Sequence, residues 1–440
     1  MGVVMKKHKK DILILIIIFI YVGILVNFSN ADNDLIWNYG FSYNFAKGLT
    51  MYKDFNMVIT PLYPLICGLF MKLLGQNFIV FNLINTIILS ALYFYIYKKY
   101  PKTFIPSIVL ISFILRPSYN FLVLFLLLIL LNTKKENDYL IGFILGLVTM
   151  TKQSFILLTL PSLLYFKKPK KILKRLIGFL IPILLFILYL VLTNSFYPFL
   201  NYTFLGLFSF SKKNSFFNLG TIFIIILIIF LLTYYLKHKD KKVLYLITYQ
   251  VMAYPIFNVM HIIFSIIPVL IYFLNKFIEN LEEKHKLNSI YLKYLNFMAL
   301  ILLLCPLFSI GLQYHFKDLT KGVGSLEYKD IDRKYLIKLD TITKEIPNID
   351  KTYFIMYDAY FYKLLLNKDI NSYDLLLNGN IGYDGEEEVI KYFNSLDSNT
   401  YFLLNNIFEG GQLSKKIDSY IRDNYVKVST FDDFILYKRG

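Results

Sequence analysis

An apolar run from Ile12 to Phe28 opens the chain, and ten further apolar segments follow it. They lie near residues 78–97, 103–115, 119–132, 139–150, 153–166, 176–193, 219–236, 242–256, 259–274 and 292–312. A bilayer imposes this pattern. It asks for roughly 20 apolar residues per helical span, with every backbone N–H and C=O paired inside the helix. Several segments are shorter than that, so some pairs read as broken or tilted helices inside a bundle. Only 18% of the 440 residues are charged, against about 25% in soluble domains. That balance excludes a disordered chain and an ordinary cytosolic enzyme. The predicted fold class is mainly α: a polytopic helical membrane bundle of about 11 spans.

Lys6, Lys7, Lys9 and Lys10 precede the first run, and Ser29-Asn30-Ala31 follows it as a weak cleavage-like site. With so many apolar segments downstream, the run reads as a retained anchor rather than a cleaved signal.

The net charge of +17 suggests a nucleic-acid partner only until its distribution is read. Residues 1–312 hold 30 Lys and Arg against 10 Asp and Glu, whereas residues 313–440 hold 17 against 20. The basic excess therefore belongs to the membrane part, where it reports orientation. A cytoplasmic N-terminus gathers 23 basic residues into inner loops, among them Lys98, Lys99, Lys102, Lys134, Lys135 and the clusters 167–175 and 237–242. Seven fall outside: Lys47, Lys53, Lys72, Arg116, Lys152, Lys212 and Lys213. Counting Thr60–Leu74 as a span would put Lys98, Lys99 and Lys102 outside, so that stretch reads as a juxtamembrane or re-entrant helix on the outer side. Residues 1–312 then form the membrane domain, with a first outer loop over 29–59 and the juxtamembrane helix over 60–74.

The tail, 313–440, falls outside the cell membrane and has ordinary polarity. Tyr353–Tyr357, Tyr401–Leu404 and Phe434–Tyr437 read as strands, and Glu386–Leu396 as an amphipathic helix. This is a small extracytoplasmic α/β domain. Cys67 and Cys305 sit in apolar runs and read as core residues, which implies no disulfide framework and no cysteine-based metal site.

Ionisable groups near membrane depth are costly and point to function. Before residue 313, the outer face carries three carboxylates, Asp32, Asp34 and Asp54, all in the loop that also holds the one tryptophan, Trp37. Each also fits a solvated loop acid. Lys152-Gln153 lies at the break between two apolar runs, Arg116 stands before Pro117 and Tyr119-Asn120, and His261 opens a span after Asn258. Cations placed there suit a phosphate headgroup, while snorkelling to lipid is the plainer role for Arg116 and Lys152.

These residues stand in an ordered pattern. It runs Asp34-Leu-Ile-Trp-Asn-Tyr, Lys47-Gly48, Met51-Tyr-Lys-Asp-Phe-Asn56 and Thr60-Pro-Leu-Tyr-Pro64. It continues with Gly146 to Gln153 and with Tyr254-Pro255 through His261 to Pro268. The pattern resembles the GT-C glycosyltransferases, which include the protein O-mannosyltransferases and aminoarabinose-transferase-like bacterial enzymes. Leu35 stands where the family often has Glu, and Asn258 where it has Asp. The first departure argues against a metal held by an acidic pair. The second gives position 258 a hydrogen-bonding rather than a charged role.

The resemblance implies a membrane glycosyltransferase that moves a sugar from a polyprenyl-phosphate or polyprenyl-diphosphate carrier to an outer-face acceptor. That acceptor is a cell-envelope glycan, lipid or protein, and inversion is the expected stereochemistry. Asp34 would be the base, with Asp54 positioning the acceptor or the loop. Lys152, Gln153, Arg116 and His261 would hold the carrier phosphate, supported by Asn120, Asn258 and Trp37. No cofactor is implied, and a divalent metal is not indicated. The partners are the lipid-linked donor, the acceptor and the bilayer, with no nucleic acid. Two other classes stay open: a lipid or polysaccharide transporter or flippase, which needs a polar pathway across the midplane, and a non-catalytic scaffold.

Overall fold

The computed structural model describes residues 2–28, 33–134, 137–164, 169–206, 218–254, 259–283 and 289–313. From 341 to 440 it describes all but 347, 357–358, 361–362, 364–367, 369–370, 372, 375, 377–379, 384, 409, 411–412 and 432. The helices are α1 (Gly2–Phe28), α2 (Asn33–Ala46), α3 (Leu62–Leu74), α4 (Phe78–Lys99), α5 (Phe104–Phe113), α6 (Tyr119–Asn132), α7 (Asp138–Thr151) and α8 (Thr159–Leu164). They continue with α9 (Pro169–Leu192), α10 (Phe196–Leu200), α11 (Leu219–His238), α12 (Lys242–Tyr249), α13 (Val259–Glu283) and α14 (Ser289–Gln313). In the tail, β1 (Thr352–Ile355), α15 (Gly385–Ser395), β2 (Tyr401–Asn405), α16 (Lys415–Asn424), β3 (Val426–Thr430) and β4 (Phe434–Lys438) follow.

Among the described residues five helices are long and apolar enough to cross a bilayer: His8–Asn27 within α1, α4, α9, α11 and α13. Each of the eleven apolar segments is mainly helical over its described residues, but two are not continuous α-helices. Segment 153–166 is a 3-10 turn, Gln153–Leu158, followed by the six-residue α8. Segment 242–256 is the eight-residue α12 and a 3-10 turn at Gln250–Ala253. At 1.5 Å per residue neither α-helix approaches the roughly 30 Å of hydrocarbon.

Contacts divide the chain into two compact units. One comprises Met1–Ser29, Ile79–Leu185 and Asn214–Leu319; the other comprises Asn30–Phe78, Phe186–Lys213 and Thr320–Gly440.

The first unit is the helical bundle. Its central helix is α6, whose Leu124, Leu127, Leu128 and Leu131 are all buried. Its flanking helices turn apolar side chains outward, including Leu184 and Leu185 on α9 and Ile226 and Ile229 on α11. Such surface suits hydrocarbon rather than water. Cys305 belongs to it: the expected core position is instead exposed on α14, because that helix faces outward there. Helices α7 and α9 cross at backbone contact. A Cβ on Gly142 would lie 2.0 Å from the Arg175 carbonyl oxygen, and one on Gly178 would lie 2.2 Å from that of Tyr139. Small residues permit that approach in a membrane, where packing rather than the hydrophobic effect joins helices. The crossing carries a buried ion pair, Arg175 Nε donating to Asp138 Oδ1 at 2.9 Å.

In the second unit, α2 packs on α3, with Gly68 leaving room for the Ser42 carbonyl and Phe45. The sheet order is β1-β2-β4-β3, with β1 and β2 parallel and the other pairs antiparallel. The crossover from β1 to β2 carries α15, as parallel strands require. Phe354, Phe402, Leu403, Leu404, Ile417 and Phe434 form its core at 0% exposure. The three expected strands and the amphipathic helix are present. The edge strand β3 and α16 are additions. Val426 and Val428 on β3 are exposed, so this strand lacks the buried pattern by which the others are recognised.

Candidate functional site

In the first unit, three helix ends meet at Lys152. Helix α7 stops at Thr151, and Lys152 is extended (φ −152°, ψ 117°). Its Nζ lies 5.6 Å from the Tyr119 ring centroid, at the start of α6, and 6.0 Å from that of Phe155. It also lies 3.7 Å from Met252 Sδ. His261, in the first turn of α13, is within electrostatic reach of this ammonium. Phe264, one turn further on, packs edge-on against Phe121 of α6 at 4.9 Å. Two helix N-termini thus converge with a cation, and N-terminal N–H groups and dipoles favour an anion.

Polar groups surround this point. Phe155 and Tyr249 rings are 5.2 Å apart. Gln250 Nε2 donates to the carbonyls of Leu246 and Ser265, and Ser265 Oγ donates to that of His261. Gln153 is 6% exposed and Gln250 3%. Among the described residues, Asn120 Oδ1, Ser154 Oγ, Tyr249 OH and Gln250 Oε1 are buried with no hydrogen-bond partner. Leaving a buried polar group unsatisfied costs about 1–3 kcal/mol. Such amide oxygens and hydroxyls, on the segments that meet near Lys152, are of the kind that a polyhydroxylated anionic ligand would bond. Arg116 is half-buried in the stretch entering α6, four residues before Asn120.

In the second unit, Asp34 lies in the first turn of α2. Its carbonyl accepts from Asn38 Nδ2 at 2.5 Å, and Trp37 is half-buried one turn along. Gly48 ends α2 in a left-handed conformation (φ 95°), its N–H bonding the Phe45 carbonyl. Only glycine takes that C-cap at low cost, which explains the Lys47-Gly48 step. Asp54 plays a structural part, because its Oδ2 accepts from Thr50 N at 2.6 Å and closes the turn. Within that turn Tyr52 holds φ 67°, which for a bulky residue is strained. Its buried ring, packed on Phe199 at 5.1 Å, and its hydroxyl, donating to the Ile59 carbonyl, hold it there. Asp32 and Asn258 lie outside the described residues.

Sequence reading missed Tyr249, Gln250, Met252 and Ser154. The available signal was Thr248-Tyr249-Gln250, a polar interruption of an apolar run. Among the described residues no three His, Cys, Asp or Glu side chains gather as metal ligands would.

No protein-family model matches the sequence, and no curated protein matches it. Structure is more informative. A crystal structure of ArnT from Cupriavidus metallidurans, in the apo state, superposes over 99% of this chain and 98% of its own, with a TM-score of 0.53. The chain has the ArnT fold. At 10% identity the likeness is one of fold alone. ArnT is an aminoarabinose transferase of the GT-C class, so the fold expected from the loop motifs is the fold found. The architecture is a multi-pass helical bundle with a small C-terminal α/β domain.

Proposed function

We propose that the chain is an integral-membrane glycosyltransferase that moves a sugar from a polyprenyl-phosphate-type carrier to a cell-envelope acceptor on the extracytoplasmic face. The observation that carries this reading is the point around Lys152: a cation, two helix N-termini and four unpartnered buried polar atoms. The ArnT fold supports it. A transporter needs its polar groups across the midplane, whereas these gather where α6 and α13 begin and α7 ends.

In this mechanism Lys152, Gln153, Arg116 and His261 hold the carrier phosphate, whose negative charge grows as the sugar leaves. Asn120 and Asn258 bind sugar or phosphate by hydrogen bonds, and Trp37 offers an apolar face. Asp34 takes the proton from the acceptor hydroxyl as its oxygen attacks the anomeric carbon. The bond to the carrier phosphate breaks in the same displacement, which inverts the centre. Asp54 keeps the Thr50–Asp54 turn closed. No cofactor enters the scheme. The positive-inside count places the N-terminus in the cytoplasm and the tail outside.

The test is transfer in membranes from a panel of polyprenyl-linked sugars, with mass spectrometry of what becomes glycosylated. Donor-dependent labelling that Lys152→Ala suppresses is expected. Wild-type protein that consumes no donor on the panel defeats the reading. Cysteines at Ser325 and Lys239 test orientation: in intact cells an impermeant reagent should label the first and spare the second.

A further inference from the structure

The second unit shows contacts between the tail and the loop that carries Asp34 and Asp54, and these give the tail a role. Gly40 lies on α2, six residues after Asp34. The Tyr360 ring fills the place of its side chain: a Cβ there would sit 2.3 Å from Tyr360 Cε2. Tyr360 is 2% exposed and meets Phe41 edge-on, centroids 6.5 Å apart. Phe41 in turn stacks on Phe55, the residue after Asp54, at 6.4 Å. Asn56 Nδ2 donates to the Asn380 carbonyl at 2.8 Å, and both residues are buried. The tail thus grips both arms of the loop, α2 through Tyr360 and the turn through Asn380.

The gripping segment is itself held. Lys363 and Asp374 form a fully buried pair, Nζ to Oδ2 at 2.7 Å, and Asp374 also accepts from Asn371 N. Asn201 Oδ1 accepts from Tyr383 N at 2.8 Å, beside Gly382 (φ 81°), where a Cβ would strike the Asn201 side chain. Tyr202 and Tyr373 hydroxyls are 3.0 Å apart.

We propose that the tail positions the carboxylate loop through Tyr360 and Asn380, with Tyr360 and Asn56 as the positioning residues. The inference rests on the glycosyltransferase reading for its catalytic consequence, though not for the mechanical coupling. Tyr360 acts through its ring. Its hydroxyl is buried and has no partner among the described residues, so Tyr360→Phe should work as the native residue does. Tyr360→Ala frees α2 and lets Asp34 wander. A misplacement of about 1 Å costs roughly 10²-fold in rate.

The experiment uses the full chain and two readouts: hydrogen exchange of the α2 amides without substrate, and transfer kinetics. Tyr360→Ala and Asn56→Ala should raise α2 exchange while β1 and β2 stay protected. Each should lower kcat with donor KM held within about twofold, and Tyr360→Ala should lower it by roughly 10²-fold. Tyr360→Phe should restore both readouts. If Tyr360→Ala does not fold, Gly40→Ala tests the contact from the other side. There the added methyl should disturb α2, and Tyr360→Leu in the same chain should relieve it. Unchanged α2 protection in the variants overturns the proposal, as does an unchanged kcat with a loosened α2. A wild type inactive on every donor defeats the glycosyltransferase reading instead, and the exchange arm still decides whether the tail holds α2.

Discussion

Among the described residues each unit contains one fully buried ion pair, and the two are built differently. Arg175 and Asp138, in the bundle, stand where α7 and α9 touch backbone to backbone through Gly142 and Gly178. Lys363, which is helical, and Asp374, which lies outside regular structure, form the pair in the tail, with the ammonium 5.1 Å from the Phe354 ring centroid and the carboxylate bonded by the Asn371 N–H. The first pair pins a helix crossing in a region that has no hydrophobic drive to associate. The second ties helical Lys363 to the Asn371–Asp374 turn. A buried pair gains little net stability over apolar residues, but it is expensive to break. Each pair thus supplies what its surroundings lack: register in the bundle, a rigid loop in the tail. Near Lys152, by contrast, Asn120 Oδ1, Ser154 Oγ, Tyr249 OH and Gln250 Oε1 are buried with no hydrogen-bond partner among the described residues, and the proposed donor site is read from them.

Ranked by expected effect, five substitutions or titrations probe this contrast. Asp34→Asn, which keeps shape but accepts no proton, should remove most of the roughly 10²–10⁴-fold that a general base contributes. Donor binding and expression should hold. Near-normal transfer in a donor assay would leave Asp54 or Asp32 as the base.

Asp138→Ala strands Arg175 in the bundle and should destabilise it by about 3–5 kcal/mol. Thermal unfolding in detergent measures this, and Asp138→Leu with Arg175→Met should recover most of the loss. A mild single variant would mean that the glycine contacts alone hold the crossing.

Lys152→Ala removes a charge-assisted bond to phosphate worth about 1.5–3 kcal/mol. Turnover at limiting donor should drop by roughly 10- to 150-fold, with an unchanged melting temperature. Donor dependence equal to wild type would make Lys152 a snorkelling residue.

Tyr249→Phe separates binding from structure. Its hydroxyl is buried and unpartnered among the described residues, so stability should hold or rise. If the hydroxyl bonds the donor, use of limiting donor should fall by about 2- to 10-fold. A variant both less stable and fully active would give Tyr249 a purely structural role.

The smallest effect is a pH slope. Burial raises the Asp374 carboxyl from its ordinary 3.8 to about 6, against the pull of Lys363. The folded tail then binds that proton more tightly than the unfolded chain does. Its stabilising contribution is complete below 3.8 and is lost as pH rises through about 6. Hydrogen exchange of β1 and β2 should therefore quicken over that window beyond its intrinsic pH dependence, and Asp374→Asn should flatten the trend.

Legibility from sequence differed by kind of feature. The helical segments, the strands β1, β2 and β4 and helix α15 were readable, because hydropathy and period are local. So was the oddity of Lys152, His261 and Asn120, since polar groups among apolar runs are conspicuous. That some short segments would be broken helices was legible from their length; that these are 153–166 and 242–256 was not, because an apolar run looks the same whether it is an α-helix or a 3-10 turn joined to a short helix. Sequence left Asp54 open between the acceptor and the loop, since a loop carboxylate that bonds Thr50 N reads like one that awaits a substrate.

Residue order was enough to dictate a many-segment membrane chain with a polar tail and the loop motifs that pointed to the fold. Which polar residues meet was settled only by tertiary packing. Lys152 finds Met252 across 100 residues of chain, and Asn56 finds Asn380 across 324. Periodicity says which face of a helix is apolar. It does not say which helix will lie against that face, because this depends on crossings such as the one Gly142 permits and on loops closed over long stretches of chain.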